Sequence, residues 1–430
     1  MTEFISFKNI HSKVSGVYYG WWLVVLTGFI MTVATVPLYH AMTVWSVALE
    51  SHFGWTRTQL GLALTLTRIE GGIMGPVEGY LTDRLGTRRM VLIGLVFLGI
   101  GFLIFSQVRN LWMFYVAFVV MALGQGLGSW LPLMTGINNW FIRRRSTAIG
   151  WASLGSRLGA LILVPAIAWA VDPDHDRLGW DRTALILAIF VLIIAFPISK
   201  AIRNKPQDYG ESADEAPVLY STDEDSAVAY DNIQVDWTAS QAIKTSAFWL
   251  IAFGHGFTSM VLLAIMTHLG LLLKDRGFDI QTTGWVVAAY TAVAMVFQIV
   301  GGYSGDRAPK NVVLFCFTTI QAVGVVVLTF AHSLRTVYLF AVLFGIGFGG
   351  RNPLTVAIRG EYFGRSSFGK ILGLSTVPMN VLLLISSPLA GYLRDVQGDY
   401  TDAFLILAFL NVVGGVLFLF SKRPKLPLTP

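Results

Sequence analysis

Four charged side chains stand inside long apolar stretches of this sequence: Arg68, Glu70, Arg157 and Arg351. Each is about ten or more residues from the nearest polar loop, so in a helix it lies roughly 15 Å or more from the end. An arginine at such depth in a bilayer costs about 2.5–3.5 kcal/mol, so three facing lipid would cost about 8–10 kcal/mol. They must face a wet cavity or a partner. Three guanidiniums against one mid-depth carboxylate make that cavity electropositive and suit it to an anion. Guanidinium matches a carboxylate through two parallel hydrogen bonds and does not release its proton, whereas a carboxyl group in apolar surroundings can protonate near neutral pH. Arginine then binds, with Arg351 as the expected main anchor, and Glu70 or a histidine couples. No metal-ligand cluster, nucleophile–base arrangement or phosphate-binding glycine loop accompanies these residues. An enzyme, a metal site and a cofactor are therefore not expected.

The elements that must hold such groups are long helices. Hydrophobic residues make up 54% of the 430 and charged ones 13%, against about 25% charged in soluble proteins. Runs of about 18–25 nearly charge-free residues can cross roughly 30 Å of hydrocarbon as helices. Twelve occur, near 18–48, 58–82, 90–107, 111–139, 147–171, 183–200, 246–273, 283–303, 312–331, 336–360, 369–393 and 402–421. They lack the alternation of membrane strands. The first is too long for a cleavable signal peptide. The single cysteine, Cys316, excludes an internal disulfide and is expected to pack within the ninth run.

The pI near 9.3 reflects orientation rather than a nucleic-acid partner. If the loops alternate sides, 20 of the 31 Lys and Arg fall on the side of the termini, Arg145 and Arg359 among them. That bias places both termini in the cytoplasm of a multi-pass protein of a prokaryotic-type inner or plasma membrane.

Residues 201–245 break the apolar pattern with an acidic, polar stretch that reads as a linker. It ends in a short interfacial helix, where Thr238 and Gln241 fit a capping box. The linker divides a six-run half, 1–200, from a second, 246–430. Gly79-Tyr80 and Asp83-Arg84 return 223 residues later as Gly302-Tyr303 and Asp306-Arg307. Trp140-Phe141 returns 222 residues later as Tyr362-Phe363, with Arg143 matching Arg365. Two parallel repeats of six helices are a transporter plan.

"GYLTDRLGTRR" at 79–89 resembles the signature loop of the major facilitator superfamily between helices two and three. The resemblance covers the whole chain. It implies an all-α membrane protein with twelve transmembrane helices in two pseudo-symmetric halves. "YYGWWLVV", "NNWFIRRRSTAIGWASLGSRLG", "KPQDYG" and "AIKTSAFWL" resemble the monocarboxylate porters and their oxalate:formate antiporter relatives. The resemblance implies a secondary transporter of a small monocarboxylate-like anion, working as a monomer by alternating access with a proton or counter-anion. An anion exchanger or a proton-coupled exporter of drug-like compounds is the alternative. The drug antiporters' "GPxxGG" is replaced here by "GSRLGALILVP".

The same resemblance makes Gly79, Asp83, Arg84, Gly86, Arg88 and Arg89 a latch between the halves, closed when the cavity faces outward. The repeat, Asp306-Arg307, is expected to latch less, because it has lost a basic position and gained Pro309. Helices two, five and ten border the cavity in this fold, which places Arg68, Arg157 and Arg351 there. Counting back from the loop glycines, the monocarboxylate porters' helix-eight arginine falls at Gln298 and their aspartate at Ala294; the antiporter's helix-eleven lysine falls at Asn380. Asn380, Gln298, Tyr290, Gln125, Asn138 and Asn139 are candidates for neutral hydrogen bonds to substrate. Trp130 is a candidate cavity wall. His40 and His268 are candidates for a vestibule, and His255 for carrying a proton.

Overall fold

The computed structural model describes residues 18–55, 57–171, 177–214, 236–278 and 280–425; the side chains of Arg68 and Glu70 lie outside the described residues. Twelve helical spans are seen there. The first is α1 (Tyr19–Thr35), a π-helical turn over Val36–His40, and α2 (Met42–Phe53). Then come α3 (Arg57–Leu85), α4 (Thr87–Ser106), and a fourth span broken at Ser129 into α5 (Leu111–Gly128) and α6 (Trp130–Trp140). α7 (Arg145–Val171) and α8 (Gly179–Ala201) complete the first half. The short α9 (Ala239–Ala242) precedes α10 (Ser246–Asp275), α11 (Ile280–Gly305), α12 (Lys310–Thr329), α13 (Leu334–Phe363), α14 (Phe368–Gln397) and α15 (Thr401–Phe420). Among the described residues, 11 spans are long and apolar enough to cross a membrane. α3 carries Arg68, Glu70, Glu78, Asp83 and Arg84.

Hydrocarbon offers backbone groups no water, so breaks in these helices need internal partners. Pro37 interrupts the first span, and its carbonyl accepts a 2.8 Å hydrogen bond from Trp45 Nε1. Helix starts follow the same rule. Asn110 caps α5 by accepting from the amide of Met113 at 2.9 Å. Thr238 and Gln241 form the expected capping box at α9.

Two sequence segments that are far apart meet at one end of the bundle. Tyr19 packs on Trp140 with ring centroids 4.5 Å apart, and Trp21 on Phe141 at 5.1 Å. The Tyr18 hydroxyl donates to the carbonyl of Trp140 at 2.6 Å. The "YYGWW" and "NNWF" segments are thus two sides of one aromatic lock. Cys316 departs from expectation: it is exposed on α12 rather than packed.

The halves meet along α3–α14 and α7–α11, with α7 also touching α13. These seams are close because side chains are absent where backbones cross. A Cβ added at Gly79 would sit 2.3 Å from the carbonyl oxygen of Gly369. The contact lies on the face that carries the linker, called the linker face below.

Candidate functional site

On the linker face each half ends a helix with an aspartate, and each aspartate caps a helix of the other half. Asp83 accepts from the amides of Gly369 and Lys370, both at 2.9 Å. Asp306 accepts from the amides of Ser146 and Thr147, again both at 2.9 Å. A carboxylate at a helix N-terminus meets unsatisfied N–H groups and the positive end of the helix dipole. The repeat was expected to latch less, and this geometry corrects that expectation. The acceptor binds backbone amides, which need no particular side chain, so Pro309 and a missing basic residue leave it intact.

The neighbouring charges hold other things. Arg84 donates to the Tyr80 hydroxyl at 3.4 Å, and Arg307 stacks on Tyr303 at 3.5 Å. Gly86 has φ +81, and a Cβ there would strike Asn204. Asn204 accepts from the amide of Arg88 at 2.9 Å. Arg89 is exposed at the start of α4. Asn204 follows α8 and carries no sequence signal of this role.

Two linker carboxylates hold the same turns. Asp214 accepts from the amides of Arg143 and Arg144 at 3.0 and 2.8 Å, and Asp236 from those of Arg365 and Ser366 at 2.6 and 3.1 Å. Asn138 and Asn139, expected to meet substrate, belong to this seal instead. Asn138 donates to the carbonyl of Gly364 at 3.4 Å, and the Asn139 carbonyl accepts from Arg365 at 3.1 Å. They lie in the last turn of α6. Gln298 is fully buried and donates to the carbonyl of Gly150 at 3.4 Å across the α7–α11 seam.

Above the seal lies a cavity of about 210 Å³, lined by Tyr39, Thr67, Glu78, Gln125, Trp130, Thr376 and Asn380 among others. Asn380, Gln125 and Trp130, singled out in the sequence, are among its lining residues. Glu78 was missed. Its signal is in another helix: a Cβ at Gly126 would meet the Glu78 carboxylate at 2.0 Å, so "GQGLG" makes room for it.

Arginines from the two halves share one ring. The Arg157 guanidinium lies 4.8 Å from the Phe348 centroid and that of Arg351 5.9 Å. Arg157 is partly exposed. It is within electrostatic reach of Tyr290 and of the exposed His40. Among the described residues it forms no ion pair.

Arg351 differs from the expected main anchor. It is 2% exposed and donates to Gln321 at 2.8 Å and to the carbonyl of Thr258 at 3.0 Å. Those bonds tie α13 to α12 and α10 inside one half. Arg359 and Arg145, counted with the loop charges, are also buried. Arg359 donates to Ser375 at 2.6 Å, to the carbonyl of Thr355, and to His255 Nδ1 at 3.3 Å. A guanidinium only donates, so His255 Nδ1 must accept and its proton sits on Nε2. A histidine so held beside a fixed cation is a poor proton carrier. His268 is likewise tied, between Tyr400 at 3.2 Å and Ser387 at 3.0 Å.

Losing a capping carboxylate costs about 0.5–2 kcal/mol. Asp83→Ala and Asp306→Ala should each loosen the seal, to a similar degree. The check is labelling of a Thr376→Cys probe, in a Cys316→Ser background, by a thiol reagent confined to the linker face. Labelling should speed up several-fold up to about thirtyfold; no change in either variant would refute the latch.

A sequence model of the Major Facilitator Superfamily matches residues 21–281 and 246–430. Rat monocarboxylate transporter 13 is 25% identical over 406 residues, covering 93% of this chain and 88% of its own. Rat monocarboxylate transporter 12 is 24% identical over 431 residues, covering 94% and 86%. An uncharacterized MFS-type transporter of Bacillus subtilis (strain 168) is 21% identical over 402 residues, covering 91% and 92%. Among solved structures, the E. coli fucose:proton symporter aligns with TM-score 0.70 at 16% identity, over 95% of this chain and all of its own. The proton:xylose symporter XylE aligns with TM-score 0.68 at 12% identity, over 95% and 97%.

Proposed function

Since this chain belongs to the major facilitator superfamily of membrane transporters, we propose that it moves a small monocarboxylate-like anion across an inner or plasma membrane by alternating access, coupled to protons. The observation that carries this reading is the placing of Arg157 and Arg351, from opposite halves, against one Phe348 ring. Two fixed cations where the halves meet favour an anion, and only the closed arrangement of the halves brings both to it. The relatives named monocarboxylate transporters support the same class. The 210 Å³ cavity is smaller than the roughly 300–1,000 Å³ of drug-sized sites, which favours a small solute over a drug-like one.

Arg157 is the better anchor in this state. It is partly exposed, while Arg351 is 2% exposed and two of its donors hold Gln321 and Thr258. Arg351 then fixes the helices and lends charge, and His40 stands beside Arg157 on the approach. The bias of Lys and Arg makes the linker face cytoplasmic. With that side sealed, substrate enters from outside. Release inward needs the Asp83 and Asp306 bonds to break, as expected of a two-state element.

Arg157→Gln should abolish carboxylate uptake into proteoliposomes while keeping the wild-type melting temperature. Arg351→Gln should lower the melting temperature as well, since it strips charged donors from two buried acceptors, at about 1–3 kcal/mol. Wild-type uptake by the Arg157 variant would overturn the anchor assignment.

Coupling is assigned to a carboxylate of α3, either Glu78 at the cavity or Glu70. The responsible Glu→Gln variant should still exchange anions but lose accumulation driven by a proton gradient. Unchanged proton dependence in both variants would remove α3 from the coupling step.

A further inference from the structure

A second and larger opening lies beside the contact between Asp306 and Thr147. On the linker face, a crevice of about 940 Å³ is lined by Tyr18, Trp21, Arg143, Arg144, Tyr303 and Arg307 among others. From this crevice we infer a binding site for a phosphate-bearing anion, with the headgroup of an anionic phospholipid as its natural occupant.

The charge balance is the first ground. Asp214 and Asp306 also line the crevice, but their oxygens accept from backbone amides of residues 142–147. The carboxylates therefore do not pair with the three arginines. Among the described residues none of the three forms an ion pair. Arg143, Arg144 and Arg307 are all exposed. Three guanidiniums with donors to spare suit phosphate oxygens.

Position is the second ground. Val296, Val300 and Tyr303 form one exposed stripe along α11, at 60, 42 and 53% exposure. Trp151 is exposed on the facing α7. Apolar faces left bare on membrane helices lie against acyl chains, and Trp and Tyr gather at the headgroup level. The crevice is where this lipid-facing groove reaches the basic turn, so a phosphate entering there can keep its chains in the bilayer.

The pseudo-symmetric place is not equivalent. Arg365, the repeat of Arg143, donates to the carbonyl of Asn139 at 3.1 Å. The guanidinium is thus bonded across the seam at Arg365 and spare at Arg143. Arg143 and Arg144 belong to the first half and Arg307 to the second. An anion held by all three joins the halves only while the linker face is closed, so it favours the sealed state.

The test is native mass spectrometry of the full-length protein in detergent, titrated separately with phosphatidylglycerol, phosphatidylcholine and inorganic phosphate. Wild type should retain phosphatidylglycerol in preference to phosphatidylcholine. Each arginine near such a headgroup is worth about fivefold, so Arg143→Gln/Arg144→Gln/Arg307→Gln should bind it roughly a hundredfold less tightly. Replacing the same three by lysine should keep most of the binding and controls for folding. Lys422→Gln/Arg423→Gln, a charge loss elsewhere on the same face, should bind like wild type. Inorganic phosphate retained equally well, with no preference among lipids and the same arginine dependence, would keep the anion site and assign it to a soluble phosphate. Equal phosphatidylglycerol retention by wild type and the glutamine triple variant would overturn the site.

Discussion

Two aspartates, each accepting a pair of backbone amides from the opposite half, hold the linker face shut. Everything else in the structure is arranged around that exchange. It requires two helix N-termini, at Ser146 and Gly369, to be delivered to two helix C-terminal ends. It also requires backbones close enough for the carboxylates to reach, which explains why Gly79 abuts Gly369. Both sets of bonds join one half to the other, so parting the halves on this face breaks them. The linker adds its own carboxylates, Asp214 and Asp236, to the turns that precede those same N-termini. The connection between the halves is thus part of the seal.

The second constraint is where a membrane protein can keep a cation. The guanidinium groups of Arg351 and Arg359 are buried and bonded within one half, so they add charge and rigidity without meeting solvent. Arg157 is placed differently, half-open against Phe348 and near His40. A field set by buried cations and a contact made by an accessible one suit an anion that must bind and then leave. Glu78 places a carboxylate on the cavity.

The sequence made the spans legible because apolar length is nearly all a membrane helix needs. The repeat of Gly-Tyr and Asp-Arg pointed to two matching contacts between the halves, and Asp83 and Asp306 each accept two backbone amides of the opposite half. Four features were not legible, for physical reasons. Charges at the ends of the runs were counted with the loops, yet Arg145 and Arg359 are buried inside α7 and α13. The family fold put Arg351 on a cavity-lining helix but could not reveal that Gln321 and the carbonyl of Thr258 wait for it on other helices. The strength of the second latch was misjudged because the partners were taken to be side chains, and backbone amides leave no trace in the residue types. Glu78 was hidden similarly, since the room it needs is made by Gly126 on another span.

The central claim is anion transport driven by a proton gradient, and one measurement bears on it most directly. Wild-type proteoliposomes would be given labelled short monocarboxylates and, in parallel, labelled hexoses, with and without an inward proton gradient. The account predicts that a monocarboxylate accumulates only when the gradient is present and that hexoses do not accumulate. Gradient-driven accumulation of a neutral sugar, with no carboxylate moved, would contradict it.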